Sequence, residues 1–287
     1  MVRTAVAFCP GHISGSFRRI EGESAALTGS AGAGIVISEG VRATAREADV
    51  LQVRVRRVAR DGSVIAEESH SPPLEHVLTR MGAEAEVVTE CRLPIGAGFG
   101  LSAAALLSAI TAVSALLSLG LTRHQIASLA HEAEIVHRTG LGDVAACQGG
   151  GMVCRLGPGI DAEIRRTHAR GTVIAAVSTG PLATPEVLGN DALMARIAAA
   201  FPPGCPRNVP SFFRDSRAFA TGSGIVTPAV AKILDACDSF GIPASMTMLG
   251  EGVFACGKDA ARVLEEFGEV WEMSVSREGF RLLEVRE

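Results

Sequence analysis

The chain has no tyrosine, one tryptophan and only 4% aromatic residues. Too few rings are present to build a surface that reads single-stranded nucleic acid by stacking bases. Lysine is nearly missing too: of 27 basic residues, only Lys232 and Lys258 are lysines. An anionic ligand must therefore be held by arginine, by backbone amides or by a metal. The seven cysteines include no Cys-x-x-Cys pair. An odd count without paired spacing argues against a disulfide framework and a structural zinc site, and it predicts buried thiols in a reducing cytoplasm. The apolar run that ends at Pro10-Gly11 is too short for the hydrophobic segment of a secretory signal.

The 287 residues, 47% hydrophobic and 20% charged with a net charge of −4, describe a soluble globular protein of one large domain or two small lobes. That balance excludes a disordered tail and a broad nucleic-acid footprint. Leu101–Leu121 carries no charge, but it is rich in alanine, punctuated by Ser102, Ser108, Thr111, Ser114 and Ser118, and has no flanking basic cluster. It reads as a helix buried inside a packed domain rather than a membrane span.

Strands are expected at Arg3–Cys9, Gly34–Ser38, Val41–Ala45, Val50–Ala59, Ser63–Glu67, Glu86–Leu93 and Met152–Leu156, with turns at Glu39-Gly40 and Asp61-Gly62. Helices are expected at 102–119 and at Arg123–His137, the latter capped by Thr122. Beyond Gly157-Pro158-Gly159, Thr172–Ser178, Ala244–Met248, Val253–Cys256, Val270–Val275 and Gly279–Val285 read as strands. Pro185–Ala200, Ser211–Ala220, Thr227–Phe240 and Ala260–Phe267 read as helices. Strands and helices cluster instead of alternating strictly, which predicts an α+β fold. A lobe boundary falls at the Gly-Pro-Gly, giving lobes 1–157 and 158–287.

The strongest chemical signal is Pro94-Ile95-Gly96-Ala97-Gly98-Phe99-Gly100-Leu101-Ser102-Ala103, a glycine-rich turn feeding a long helix. Free amides at a helix N-terminus suit an anion such as phosphate, although a tight turn before a packed helix would look the same. No lysine is available for a Walker A loop, and the third glycine of a dinucleotide fingerprint falls on Leu101. Further on, His131-Glu132-Ala133-Glu134-Ile135 lacks the second histidine of a zincin. Glu134 and Asp143 could converge to hold Mg²⁺ and orient a hydroxyl, or could be a helix surface and its glycine-rich end.

The loop resembles the phosphate loop of the GHMP kinases, written Pro-x-x-x-Gly-Leu-Gly-Ser-Ser-Ala. Pro94, Gly98, Gly100, Ser102 and Ala103 match it, Phe99 replaces the leucine and Leu101 replaces the first serine. The resemblance implies a two-lobed fold, with an N-terminal lobe like domain 2 of ribosomal protein S5 and a ferredoxin-like C-terminal lobe. It also implies ATP at Pro94, Gly96, Ala97, Gly98, Phe99, Gly100, Ser102 and Ala103, and Mg²⁺ at Ser102 and Glu134. Asp143 is implied as the group that orients and deprotonates the attacking hydroxyl. Pro10-Gly11-His12-Ile13-Ser14-Gly15 and His137-Arg138-Thr139-Gly140-Leu141-Gly142-Asp143 are most similar to the archaeal pantoate kinase branch of that family. That likeness implies pantoate as a small-molecule acceptor beside ATP, with His12, Ser14, His137, Arg138 and Thr139 as its contacts. Ser16, Arg18, Arg19 and Arg155 are further candidates for its carboxylate. Homoserine, mevalonate or shikimate as acceptor, or a ligand sensor without turnover, are the alternatives. A homodimer is allowed; a nucleic acid or membrane partner is not expected.

Overall fold

Two strands much longer than the sequence suggests organise the first lobe of the computed structural model, which describes residues 3–181 and 189–287. β1 (Thr4–Ile20) and β2 (Gly29–Glu47) run antiparallel along nearly their whole lengths. β1 continues through Pro10-Gly11, where a bulge shifts the register between Pro10 and His12. Proline cannot donate to the ladder, so the strand absorbs it by bulging instead of turning. β2 likewise passes through Glu39-Gly40, correcting the expected turn there.

β3 (Gln52–Val58) and β4 (Val64–Glu68) form the expected hairpin around Asp61-Gly62. α1 (Pro72–Arg80) follows, unannounced by the sequence reading, and β5 (Ala85–Cys91) then inserts between β2 and β3. α2 (Leu101–Leu116) lies across β1 and β2 with α3 (Arg123–His137) packed against it. Nearly every side chain of α2 is buried. Its hydroxyls turn inward on themselves: Ser108 donates to the Ala104 carbonyl at 2.7 Å and Thr111 to Leu107 at 2.6 Å. No helix among the described residues is long and apolar enough to cross a membrane.

α3 begins in a reciprocal cap, Thr122 accepting from the Gln125 amide while the Gln125 side chain accepts from Thr122 N–H. It ends at Arg138, whose φ of 54° places it in the left-handed region. The short α4 (Asp143–Cys147) then leads to β6 (Met152–Arg155), which pairs with β2. Beyond residue 157 the chain adds β7 (Ile164–Thr167) to this sheet, and β12 (Arg281–Arg286) returns from the far end to pair with β1. The eight-stranded sheet thus draws on both sides of the expected boundary.

β8 (Val173–Gly180), β9 (Ala244–Met246), β10 (Glu251–Cys256) and β11 (Val270–Ser274) make the second sheet in the order β11-β8-β10-β9, antiparallel throughout. This is the strand order of a ferredoxin-like unit. α5 (Asp191–Ala200), α6 (Val209–Ser223) and α7 (Pro228–Ser239) fill its first crossover, and α8 (Ala260–Leu264) its second. The expected helix start at Pro185 lies outside the described residues. The molecule is α+β.

One cysteine expectation is overturned. Cys154 of β6 and Cys205, in the loop before α6, form a disulfide that ties the two sheets' territories together. Their separation of 51 residues hid the pairing from any spacing pattern. Cys9, Cys91, Cys147 and Cys237 are buried free thiols, and Cys256 is a half-buried one.

Candidate active site

The bulge in β1 is where the site begins. Its His12 amide donates to the Phe99 carbonyl at 2.9 Å, pinning the glycine-rich loop to the sheet. Gly98 and Gly100 in that loop have φ of 82° and 63°, the left-handed region that side chains avoid. A Cβ on Gly98 would lie 2.8 Å from the Met248 carbonyl oxygen. Gly100 is the N-cap of α2 and offers no capping side chain, and the first intrahelical bond of the turn runs from Ala104 N–H to the Gly100 carbonyl. The preceding amides are therefore free to face a ligand, with the positive end of the helix dipole behind them.

These elements enclose a cavity of about 440 Å³. One end is bordered by Val55, Pro73, Thr89 and Ile95, at β3, β5, the start of α1 and the loop. The other is bordered by Ser14, Ser30, Asp143 and Arg155. Gly96, Gly98, Phe99, Gly100 and Ser102 also line it, whereas Pro94, Ala97 and Ala103, expected beside them, do not.

Asp143 opens α4, and its Oδ1 accepts from His12 Nδ1–H at 2.6 Å. Burial would raise the Asp143 carboxyl, but the His12 hydrogen bond and the charge of Arg155 hold it below the usual carboxylate range. It is an anion at neutral pH, one-fifth exposed toward the cavity. His12 itself is fully buried, and burial pushes its imidazole down despite Asp143, so it is a neutral donor that fixes the carboxylate. It reaches the cavity only through Asp143. Ser14 Oγ lies 3.5 Å from His12 Nδ1 and does line the cavity.

Glu134 sits on the last turn of α3, 1% exposed, and Ser102 hydrogen-bonds it. Burial, then the charge of Asp143, push its carboxyl well up, with the Ser102 bond a partial offset. Its Oε2 is buried without a hydrogen-bond partner. A second carboxylate and a serine hydroxyl around an unsatisfied oxygen form a donor set that suits a hard divalent cation. Among the described residues, no group of three or more His, Cys, Asp or Glu side chains could hold a metal. Phosphate oxygens would have to complete the coordination, as they commonly do for Mg²⁺.

Arg155, at the end of β6, is 2% exposed. Its Nη2 donates to Ser30 Oγ at 3.3 Å, while Nε and Nη1 are buried with no partner. A buried guanidinium with free donors beside a cavity is a ready anion clamp. Sequence reasoning named Arg155 among several arginines but could not rank it, because one arginine in a short strand looks like any solvated charge. Ser30 went unseen for a similar reason: only the β2–β6 pairing sets it under Arg155.

Other expected contacts go elsewhere. His137 packs its ring edge-to-face on His76 at 5.1 Å and Arg138 is exposed at the helix end, so neither lines the cavity. Thr139 does line it, with a buried hydroxyl lacking a partner. Arg18 lies over the Phe201 ring and Arg19 pairs with Glu21. Ser16 is buried in β1 away from the cavity wall.

Residues 69–151 match the family described as the GHMP kinases N-terminal domain. Over nearly its whole length the chain also resembles a solved structure titled a phosphotransferase related to the CoA biosynthesis pathway, which superposes with a TM-score of 0.78 at 25% identity, covering 97% of this chain and 98% of that one. A GHMP kinase is the class that this fold and cavity define. Within it the chain belongs to the pantoate kinase family. It is 43% identical to the pantoate kinase of Methanospirillum hungatei over 96% of both chains, and 32% identical to that of Thermococcus kodakarensis over 88% of this chain and 87% of the other.

Proposed function

We propose that the chain transfers the γ-phosphoryl group of Mg-ATP to the primary hydroxyl of pantoate, giving 4-phosphopantoate for coenzyme A synthesis in the cytoplasm. The observation that carries this is the pairing of Asp143 with Arg155. One cavity end holds a carboxylate fit to orient a hydroxyl and a buried guanidinium with two unpaired nitrogens fit to hold an acid. Pantoate is a small acid with a hydroxyl at its far end.

In this reading the base occupies the apolar end near Val55 and Pro73, and the phosphates lie along Gly96–Gly100 at the N-terminus of α2. Ser102 and Glu134 hold Mg²⁺, which when bound draws charge from the transferring phosphoryl group. Arg155 and Ser30 receive the acceptor's carboxylate. Asp143 accepts a hydrogen bond from the acceptor hydroxyl and aims its oxygen in line with the γ-phosphorus. The new O–P bond forms as the bond to the β–γ bridging oxygen breaks and ADP leaves. Because Asp143 binds protons weakly, it takes the hydroxyl proton late, when the oxygen has become acidic by bonding to phosphorus. His12 keeps the Asp143 oxygen in place throughout.

Measuring ADP release with pantoate, homoserine, mevalonate and shikimate tests the reading. Release with pantoate and little with the others is expected; turnover of another alcohol alone would move the acceptor. Absence of turnover with all four, together with tight ligand binding, would favour the sensor.

A further inference from the structure

Three non-glycine residues among those described have positive φ: Ser118, Arg138 and Leu249. Ser118 follows α2 and Arg138 terminates α3, where left-handed residues ordinarily end helices. Leu249, at φ 60°, ends no helix. It sits in the tight turn between β9 and β10, closed by the Thr247 amide donating to the Gly252 carbonyl at 3.0 Å. Glycine or asparagine meets that backbone demand with least strain. A branched apolar side chain kept in a conformation that disfavours it points to a use for the side chain itself.

Its surroundings say what the use is. The turn is jammed against the phosphate loop, with Gly250 on the backbone of Ala97 and the Met248 amide on the Ser14 carbonyl at 3.4 Å. Leu249 and Met248 line the cavity together with Phe17 and Leu141. Phe17, Leu141 and Met248 belong to one buried apolar cluster, the core of the second lobe, and Leu249 packs against it. The cavity end that holds Asp143 and Arg155 therefore has an apolar wall fixed by a folded core.

Pantoate carries a quaternary carbon with two methyl groups between its reacting CH₂OH and its carboxylate-bearing carbon. With the hydroxyl at Asp143 and the carboxylate at Arg155, that carbon lies between the two polar anchors. We propose that Leu249, backed by Leu141 and Met248, receives the geminal methyl groups and sets the selection for an acceptor branched at that carbon. The inference rests on pantoate being the acceptor.

The test compares kcat/KM for pantoate and for 2,4-dihydroxybutyrate, which keeps the hydroxyls and the acid but lacks both methyl groups. One methyl group in a fitted apolar pocket is worth about 10–200-fold, so the wild-type preference should be about 10²-fold or more. Leu249→Gly should cut that ratio at least tenfold by losing pantoate alone, with the KM for ATP unchanged. Its melting temperature should stay level or rise, because glycine suits the left-handed backbone. A side chain that served only to hold the turn would instead lower the melting temperature and cost both acceptors equally, which would overturn the proposal, as would a ratio within twofold of wild type. Leu249→Asn, also at ease at positive φ, repeats the measurement if the glycine variant does not fold. A wild-type protein that phosphorylated neither compound while using another alcohol would overturn the pantoate reading instead.

Discussion

Replacing Glu134 by glutamine should make the metal-free protein more stable, though it removes a proposed ligand. Glu134 is buried beside Asp143 with one oxygen unsatisfied and no positive side chain bonded to it. Its carboxyl is raised in the fold, so the native state holds a proton that the unfolded chain releases at the ordinary carboxylate value. Wild-type stability is then full below that ordinary value and falls as pH rises toward the raised one. The loss amounts to about 1.4 kcal/mol for each pH unit between the two values, and it levels off above the second. In a chain of this size each such unit is roughly 2–4 °C of melting temperature. Glutamine keeps the shape and the Ser102 partner but has no charge to bury, so its stability curve should lack this decline. Mg²⁺ with ADP should restore the wild-type stability most at high pH and should stabilise the variant less, with no such dependence on pH. Thermal melts from pH 5 to 9, in EDTA and in Mg-ADP, provide the measurement. A Glu134→Gln protein that melts below wild type in EDTA at pH 8.5 would refute the argument that this carboxylate is uncompensated.

Asp143→Asn should lower kcat by about 10²–10⁴-fold with little change in ATP affinity, as read by steady-state kinetics and nucleotide titration. Because the Asp143 carboxyl is held below the usual range, the acidic limb of kcat/KM assigned to it should fall below the ordinary carboxylate value; a limb above it would assign the limb to another group. Arg155→Met, similar in length but without donors, should raise the KM for pantoate by about 10²-fold, roughly 3 kcal/mol, while the KM for ATP holds. Gly98→Val forces a side chain toward the Met248 carbonyl and should abolish nucleotide binding, whereas Ser102→Ala should weaken Mg-ATP use; Leu101→Ser should lower the melting temperature, because Leu101 is packed in the main core. Thiol titration of denatured, unreduced protein should find the five free cysteines, and seven after reduction. The 51-residue separation of Cys154 and Cys205 corresponds to a chain-entropy stabilisation of about 4 kcal/mol, so reductant or Cys205→Ser should lower the melting temperature.

What could be read in advance followed from local chemistry. Thr122 with Gln125 marks α3, and Thr227 with Pro228 marks α7, because caps act within four residues. The loop before α2 was legible because a glycine-rich turn feeding a helix N-terminus has few other uses. Pro10-Gly11 and Glu39-Gly40 misled for the converse reason. Both carry strong turn signals, yet each lies inside a strand whose neighbours hold it extended. α1 starts at Pro72-Pro73, which in isolation resembles a loop. Within the site, Asp143 and Glu134 could be picked out from their sequence setting, but their unlike proton affinities depend on His12 and Arg155, which are far away in the chain. His137 and Arg138 looked functional by adjacency to Asp143; the left-handed end of α3 carries them away from the cavity.

The return of β12 to β1 has a consequence for synthesis. Thr4 pairs with Arg286, so the outer strand of the first sheet is made only after the whole second lobe has been synthesised. Until then β1 presents an unpaired edge, a template for adhesion to other chains. A nascent chain stalled anywhere in the second lobe would carry the phosphate loop and both site carboxylates, but with that edge exposed. The second lobe is also anchored at both of its ends to the first sheet, entering after β7 and leaving through β12. Any rocking of it toward the cavity must flex two tethers together, which favours motion about a single axis over free swinging on one linker.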